Sequence, residues 1–204
     1  MTEDDAQAWI AQRFGAAAAA RVAGFVGQVV AESSRQNLVS RASIDSIWAR
    51  HVVDSAQLIA LAREANAATR WLDVGSGAGF PGAIVALLTP AAVTLVEPRR
   101  RRAAFLADAL RDIAGATVIA ARVEAFAGPP QHVISARAVA PVVDLLDATR
   151  HLADISTCYI LPRGRSAATE LESARLRWHG LFHVEPSITD AESGILIAEK
   201  VRHR

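Results

Sequence analysis

Apolar positions in the first sixty residues recur at steps of three and four. Trp9, Ile10 and Phe14, then Val22, Phe25, Val26, Val29 and Val30, predict helix over residues 4–35, with Gly15 as a break. The polar stretch Asn37-Leu38-Val39-Ser40-Arg41 ends that pattern. A second helical pattern starts near Ser43 and turns Ile44, Ile47, Trp48, Val52, Leu58 and Leu61 inward. From residue 70 the period changes. Short apolar runs bounded by turn residues predict strands at 71–74, 93–96, 117–121, 132–136, 157–161, 181–184 and 194–201. Helical patterns fall between most of them, at 83–88, 99–113, 142–152 and 167–177. Alternating strands and helices predict an α/β chain with a mostly parallel, doubly wound, seven-stranded sheet. The last two strands have no helix between them, which predicts an antiparallel edge. The expected organisation is one domain over 1–204, an N-terminal helical cap (1–65) on a core (66–204).

Composition narrows the setting. With 51% hydrophobic residues, the 204-residue chain can bury a substantial core. No apolar run reaches the length of a membrane span, and the acidic start Met1-Thr2-Glu3-Asp4-Asp5 lacks a signal peptide's basic region. The expectation is a cytoplasmic protein. The single cysteine, Cys158, excludes an intrachain disulfide and sits in an apolar strand; no clustered Cys/His spacing suggests a metal. Net charge is only +1, yet Arg99, Arg100, Arg101 and Arg102 stand together. Four cations at a helix start oppose the helix dipole, an arrangement that a phosphate partner would relieve.

The candidate chemistry centres on residues 70–82. Trp71, Leu72 and Val74 end a buried strand; Gly75, Gly77, Gly79 and Pro81 follow, and then the helix over 83–88. Strand, glycine turn and helix make a nucleotide-type site, because missing Cβ atoms let backbone approach a ligand. Two frames overlap. Asp73 with Gly75-x-Gly77-x-Gly79 is the frame of Rossmann-like S-adenosylmethionine-dependent methyltransferases. Gly77-x-Gly79-x-x-Gly82 satisfies the dinucleotide fingerprint. A carboxylate at Asp73 can accept from the ammonium of a methionine moiety, directly or through water, and would repel a pyrophosphate. Pro81 removes an N–H that a pyrophosphate would use. Glu97, ending the next strand, suits a ribose diol in either frame. The only Tyr is Tyr159 and the only Lys is Lys200, so a Tyr-x-x-x-Lys reductase couple is absent. The balance favours S-adenosylmethionine. A nicotinamide-dependent oxidoreductase and a catalytically silent nucleotide-binding module remain the alternatives.

Four separated pieces then occur in order: Asn37-Leu38-Val39-Ser40, Arg50-His51-x-x-Asp54-Ser55, Asp73 through Gly82, and Val133-Ile134-Ser135-Ala136-Arg137-Ala138. Together they closely resemble the bacterial small-subunit ribosomal RNA guanine-N7 methyltransferases, also called the glucose-inhibited division protein B family. The resemblance spans roughly residues 25–200. It implies an S-adenosylmethionine site at Gly75 and Phe80 of the glycine loop, beside Asp73, Gly77, Gly79 and Glu97. It adds Val123 and Glu124 near the adenine, and Arg137 after the fourth strand. His51, Arg101, Arg102, Arg122 and Arg163 are implied as RNA contacts, although many members carry a lysine where this chain has Arg163. The implied partner is 16S ribosomal RNA or the small ribosomal subunit, met by a monomer.

The chemistry so implied needs little acid–base help. Guanine N7 carries an in-plane lone pair and no proton, so placement in line with the methyl carbon and sulfur suffices. Arg137 is the candidate catalytic residue, orienting the base by donating to guanine O6. His51 with Asp54 could form a catalytic pair, but a helix-to-sheet hydrogen-bonding role fits better where no base is required. Other acceptors fit less well. Cytosine C5 needs a cysteine nucleophile, and amino-group methylation of adenine commonly uses an Asn/Asp-Pro-Pro-aromatic loop where this chain has Ser135-Ala136-Arg137-Ala138.

Overall fold

The computed structural model describes residues 1–63 and 65–204. The N-terminal segment forms α1 (Glu3–Phe14), α2 (Ala16–Gln36), a short α3 (Arg41–Ile44), a π-helical turn (Trp48–Val53) and α4 (Asp54–Leu61). Thr2 and Asp5 cap α1 reciprocally, satisfying N–H groups that a helix start leaves open. Gly15 breaks the pattern as expected, at φ 85. The expected single helix from Ser43 to Leu61 is instead interrupted. The Glu3 carboxylate accepts from the N–H groups of Trp48 and Ala49, both at 2.9 Å, at the start of the widened turn. An acidic residue forty-five positions away is outside any local pattern.

The core alternates β1 (Arg70–Val74), α5 (Gly82–Leu88), β2 (Ala92–Val96), α6 (Arg100–Ala109), β3 (Ala116–Ile119), β4 (Val133–Ser135), α7 (Val142–Thr149), β5 (Cys158–Gly164), α8 (Ala167–Arg177), β6 (Trp178–Pro186) and β7 (Gly194–His203). The sheet has seven strands in the order β3-β2-β1-β4-β5-β7-β6. The first five pair in parallel, while β7 runs antiparallel between β5 and β6. This is the mostly parallel Rossmann-like sheet with an antiparallel edge. The terminal hairpin is longer than its apolar run suggests, because β6 starts directly where α8 ends and buries only Trp178 and Phe182 along its length. The helix predicted over 99–113 stops at Ala109, and the strand predicted over 117–121 stops at Ile119.

Two apolar clusters fill the faces. One joins the cap to the sheet through Ile10, Val22, Phe25, Trp48, Val52, Leu58, Trp71, Ile84 and Leu106. The other packs α7, α8 and the terminal hairpin against Leu72, Ile134, Tyr159 and Leu161. Cys158 is buried, and burial pushes its thiol up to about 12, so it is an inert core residue. The cap lies over the face that leads to the carboxyl ends of β1 and β4, the edge where a sheet of this kind receives ligands.

Candidate active site

The glycine loop leaves β1 at Val74 and is held almost entirely by protein acceptors. Gly75 and Ser76 donate backbone N–H groups to Val96 O (2.8 and 3.3 Å), and Gly79 donates to Ser76 O (2.7 Å). Gly77 donates to Glu97 Oε2 at 2.8 Å, and Gly82 donates to Asp73 Oδ2 at 3.1 Å. Gly79 has φ +100, and a Cβ there would stand 2.6 Å from Phe25 Cζ. At Gly82 a Cβ would stand 2.6 Å from Asp73 Oδ2. These two positions need glycine for different reasons, a left-handed backbone and a close approach.

Asp73 is wholly buried beneath the loop. Its Oδ1 accepts from Ser135 Oγ (2.8 Å), and that hydroxyl oxygen in turn accepts from Trp71 Nε1 (2.9 Å). Burial raises its pKa to about 6, against the pull of Ser135, Ser76 and Gly82. Asp73 therefore shapes the loop and ties β1 to β4, and it has no exposed face for an ammonium group. Glu97 is also buried, with Oε1 accepting from Arg99 N at 2.8 Å. A carboxylate has about four acceptor positions. Two are used by Gly77 and Arg99, which leaves room for a ribose diol.

The second part of the site comes from the cap. The π-helical turn carries His51, whose ring stacks on Phe80 with centroids 5.1 Å apart and planes 20° apart. Among the described residues neither ring nitrogen has a hydrogen-bond partner. Burial, then Arg137 and Arg50, push the His51 pKa down to about 4, so the imidazole is neutral near pH 7. Arg137, at the end of β4, lies over the Phe80 ring at 5.5 Å. One of its nitrogens donates to Arg50 O and to Asp54 Oδ2, both at 3.3 Å. The loop after Arg137 folds back over the glycines: Ala138 has φ 54, and Val139 lies close enough to Gly75 to occupy the place of a Cβ. Glycine loop, His51, Phe80 and Arg137 thus form one constellation.

Beyond Arg137 lies a cleft of about 440 Å³ lined by Asp54, Arg137, Arg163, Glu170, Ser187 and Ser193, among others. It lies at the carboxyl end of β5, where Gly164 (φ 57) pairs with Gly194 at the start of β7. The Arg163 side chain is only 4% exposed. Its Nη1 donates to Ala140 O at 2.8 Å, while Nε and Nη2 have no hydrogen-bond partner among the described residues. A carboxylate oxygen of Glu170 lies 3.9 Å from Nε. Both Glu170 oxygens are engaged elsewhere, one by Val142 N and one by Ser166 Oγ.

Other expected site residues stand apart from this centre. Val123 is buried in a 3-10 turn after β3, while Glu124 is exposed and pairs with Arg122, whose side chain is 78% exposed. Arg101 and Arg102 lie at the start of α6 and donate to the last carbonyls of α2, Arg35 O (3.5 Å) and Asn37 O (3.4 Å). Those cations meet the negative end of a neighbouring helix, so the charge run is partly explained without a phosphate. Several participants carry no local signal in the sequence. Ser135 is one, and Gln57 is another: its amide links Asp54, Ser187 and the Ile188 N–H, while Thr189 adds a further bond to Asp54. Only the adjacency of β4 and β1, and of α4 and the β6–β7 connection, brings them together. Among the described residues no group of His, Cys, Asp and Glu is placed to hold a metal.

Comparison with known proteins bears on this geometry. Residues 19–194 match the family described as GidB, rRNA small subunit methyltransferase G. The ribosomal RNA small subunit methyltransferase G of Rhizorhabdus wittichii is 44% identical over 208 residues, covering 100% of this chain and 95% of that protein. The protein of that name from Erythrobacter litoralis is 42% identical over 200 residues, covering 96% and 95%. In fold, the chain resembles a mutant of MtNAS solved in complex with S-adenosylmethionine, with TM-score 0.63, 15% identity and coverage of 88% and 71%. It also resembles a putative S-adenosylmethionine-dependent methyltransferase from Methanococcus maripaludis, with TM-score 0.57, 9% identity and coverage of 80% and 93%.

Proposed function

Because the chain belongs to the small-subunit ribosomal RNA methyltransferase G family, we propose that it moves a methyl group from S-adenosylmethionine to N7 of a guanine in 16S ribosomal RNA. It is a methyltransferase, and S-adenosylmethionine is its methyl donor. The observation that carries this reading over a dinucleotide enzyme is the use of the loop's N–H groups. A pyrophosphate needs those donors free. Here Gly75, Ser76, Gly77, Gly79 and Gly82 already spend theirs on Val96, Glu97, Ser76 and Asp73. What the loop offers instead is close approach of backbone, with the open acceptor positions of Glu97 beside it for a ribose.

In this reading Gly75, Gly77, Gly79 and Phe80 form the floor of the cofactor site, and Asp73 fixes that floor from below. Val123 and Glu124 border the adenine end. The sulfonium supplies an already activated methyl carbon. Arg137, braced by Asp54, orders the wall between cofactor and acceptor. His51 is neutral, so it contributes by stacking and hydrogen bonding rather than by charge, and no general base is needed. Arg101, Arg102 and Arg122 face solvent and can meet RNA phosphates, Arg101 and Arg102 with the donors left over from their α2 contacts. Cap and core act as one domain, since a single apolar cluster runs through both. Among the described residues no helix is long and apolar enough to cross a membrane. On this reading the enzyme works in the cytoplasm, as a monomer, on 16S RNA or on the small subunit; the ribosomal RNA named for its relatives supports the location.

The test is to incubate the protein with radiolabelled S-adenosylmethionine and undermethylated small subunits, then map the label. Label at N7 of one guanine is the expected result; no label, or label on protein, would overturn the reading.

A further inference from the structure

Resting on that reading, we infer that the cleft beyond Arg137 is the pocket for the acceptor base, and that Arg163, not Arg137, grips the O6 edge of the guanine. A buried guanidinium with unmet N–H groups is costly, because the desolvation penalty of each donor is not offset. Arg163 has two such donors, Nε and Nη2, in a side chain that is 4% exposed. Its third nitrogen is anchored on Ala140 O, so the side chain is held at the cleft wall rather than mobile. The Glu170 carboxylate, 3.9 Å from Nε, is beyond hydrogen-bonding distance and is held there by its bonds to Val142 and Ser166. An acceptor brought in by a ligand completes the arrangement. Arg137 differs: its side chain is 21% exposed, its Nη1 is paired with the Asp54 carboxylate, and none of its nitrogens is buried without a partner among the described residues.

The charge of the cleft selects between a base and a phosphate. Arg137 and Arg163 are matched by Asp54 and Glu170 on the same wall. A phosphate site would carry an excess of donors and cations. A balanced wall suits a neutral base that becomes cationic when N7 is methylated, because the two carboxylates lie near the developing charge. Of the remaining donors of guanine, N1–H and the 2-amino group, one can meet the Ser193 hydroxyl oxygen, which donates to Asp190 and keeps its own acceptor positions open. The cleft volume of about 440 Å³ lies in the range of small-ligand pockets. Arg163 donates to O6 alone in this arrangement, because a bidentate bond to O6 and N7 would block the nucleophile.

The experiment is a cycle between Arg163 and the acceptor base. The guanine that the wild-type protein labels is replaced by 2-aminopurine, which keeps N7 and the 2-amino group and lacks both O6 and N1–H, so that only the non-additivity with Arg163 reports the O6 contact. Expected for the wild type is a loss in kcat/KM on the order of tenfold to a hundredfold. Arg163→Ala should lose a similar factor on guanine and lose almost nothing further on 2-aminopurine. Arg163→Lys, which keeps charge but not fork geometry, should recover part of the loss on guanine only, and it carries the test if the alanine variant does not fold. S-adenosylmethionine binding should stay unchanged in both variants. Independent, multiplying losses would overturn the proposal, as they would place Arg163 on a phosphate or elsewhere. So would Arg163 variants with wild-type activity. Absence of N7 label with the wild-type protein on guanine would instead sink the parent reading.

Discussion

Two polar regions flank Phe80, and they differ in how completely their groups are satisfied. Beneath the glycine loop, Trp71, Ser135, Asp73 and Gly82 form a closed hydrogen-bond chain with no exposed member at Asp73. On the cap and β5 side, both nitrogens of His51 and two of Arg163 are buried without partners among the described residues. A closed network specifies a shape; an open one is completed by something that arrives. The contrast assigns the first region to holding the loop and the second to receiving substrate.

The largest effect that tests this contrast is the pH dependence of Asp73. Its pKa is about 6 in the folded protein against an ordinary 3.8. Between those values the folded state binds the extra proton, so the Asp73 contribution to stability is full below about pH 4 and is lost as pH rises to about 6. That amounts to about 3 kcal/mol by the usual conversion. His51 works in the opposite direction. Its pKa falls from 6.5 to about 4, so its contribution grows as pH rises through the same window. The wild-type curve therefore hides both. Urea unfolding of Asp73→Asn and wild type at pH 4 and pH 7 separates them: the variant should gain on the wild type by about 3 kcal/mol across that interval. A constant difference would show that Asp73 is ordinary and the closed network is not as drawn. His51→Leu should shift the curve in the opposite sense, losing ground as pH rises.

Next in size is Gly82→Ala. The new Cβ would meet Asp73 Oδ2 and Cβ at 2.6 Å. Overpacking of this kind costs about 2 kcal/mol. Because the clash is with the loop's own support, S-adenosylmethionine affinity should fall together with stability. Calorimetry of both would break the assignment if affinity were lost with no change in stability.

How far the sequence carried each region follows from the same distinction. Strand, glycine turn and helix were legible because each has a local period or a residue type required by backbone geometry. The sheet's parallel body and antiparallel edge followed from the spacing of helices between strands. The orientation of Asp73 was not legible. Its position before Gly75 suggests a ligand contact, whereas the partner that buries it, Ser135, is 62 residues away and reaches it only through the pairing of β1 with β4. The π-helical turn was hidden for the same reason, since its support is Glu3. Arg163 could be marked as a site residue by resemblance, but its unmet donors depend on Glu170 being held 3.9 Å away by Val142 and Ser166, which no pattern reveals.

Arg163→Ala offers a smaller stability effect with a larger functional one. Removing a residue whose donors are unsatisfied should change folding stability by less than about 1 kcal/mol, in either direction, since the lost bond to Ala140 is offset by relief of the unmet groups. Asp73→Ala at pH 7 should be more damaging, as it leaves the Ser135 hydroxyl and the Gly82 N–H without their acceptor. Chemical denaturation of the pair measures the difference. Equal destabilisation would erase the contrast between closed and open networks.

The smallest stability effect belongs to Arg122. Its side chain is 78% exposed and its partner Glu124 is 48% exposed, so solvent screens the pair. Arg122→Ala should leave folding stability within about 0.5 kcal/mol of wild type. If Arg122 meets a phosphate, the same substitution should weaken RNA binding evenly across sequences and reduce the slope of log affinity against log salt by about 1. Arg163→Lys should leave that slope unchanged, because a contact to a base edge releases no counterion and lysine keeps the charge. Filter binding of the two variants over a range of salt thus separates a cation that meets the backbone from one that reads a base. An unchanged slope for Arg122→Ala removes Arg122 from the RNA surface, and a reduced slope for Arg163→Lys moves Arg163 onto it.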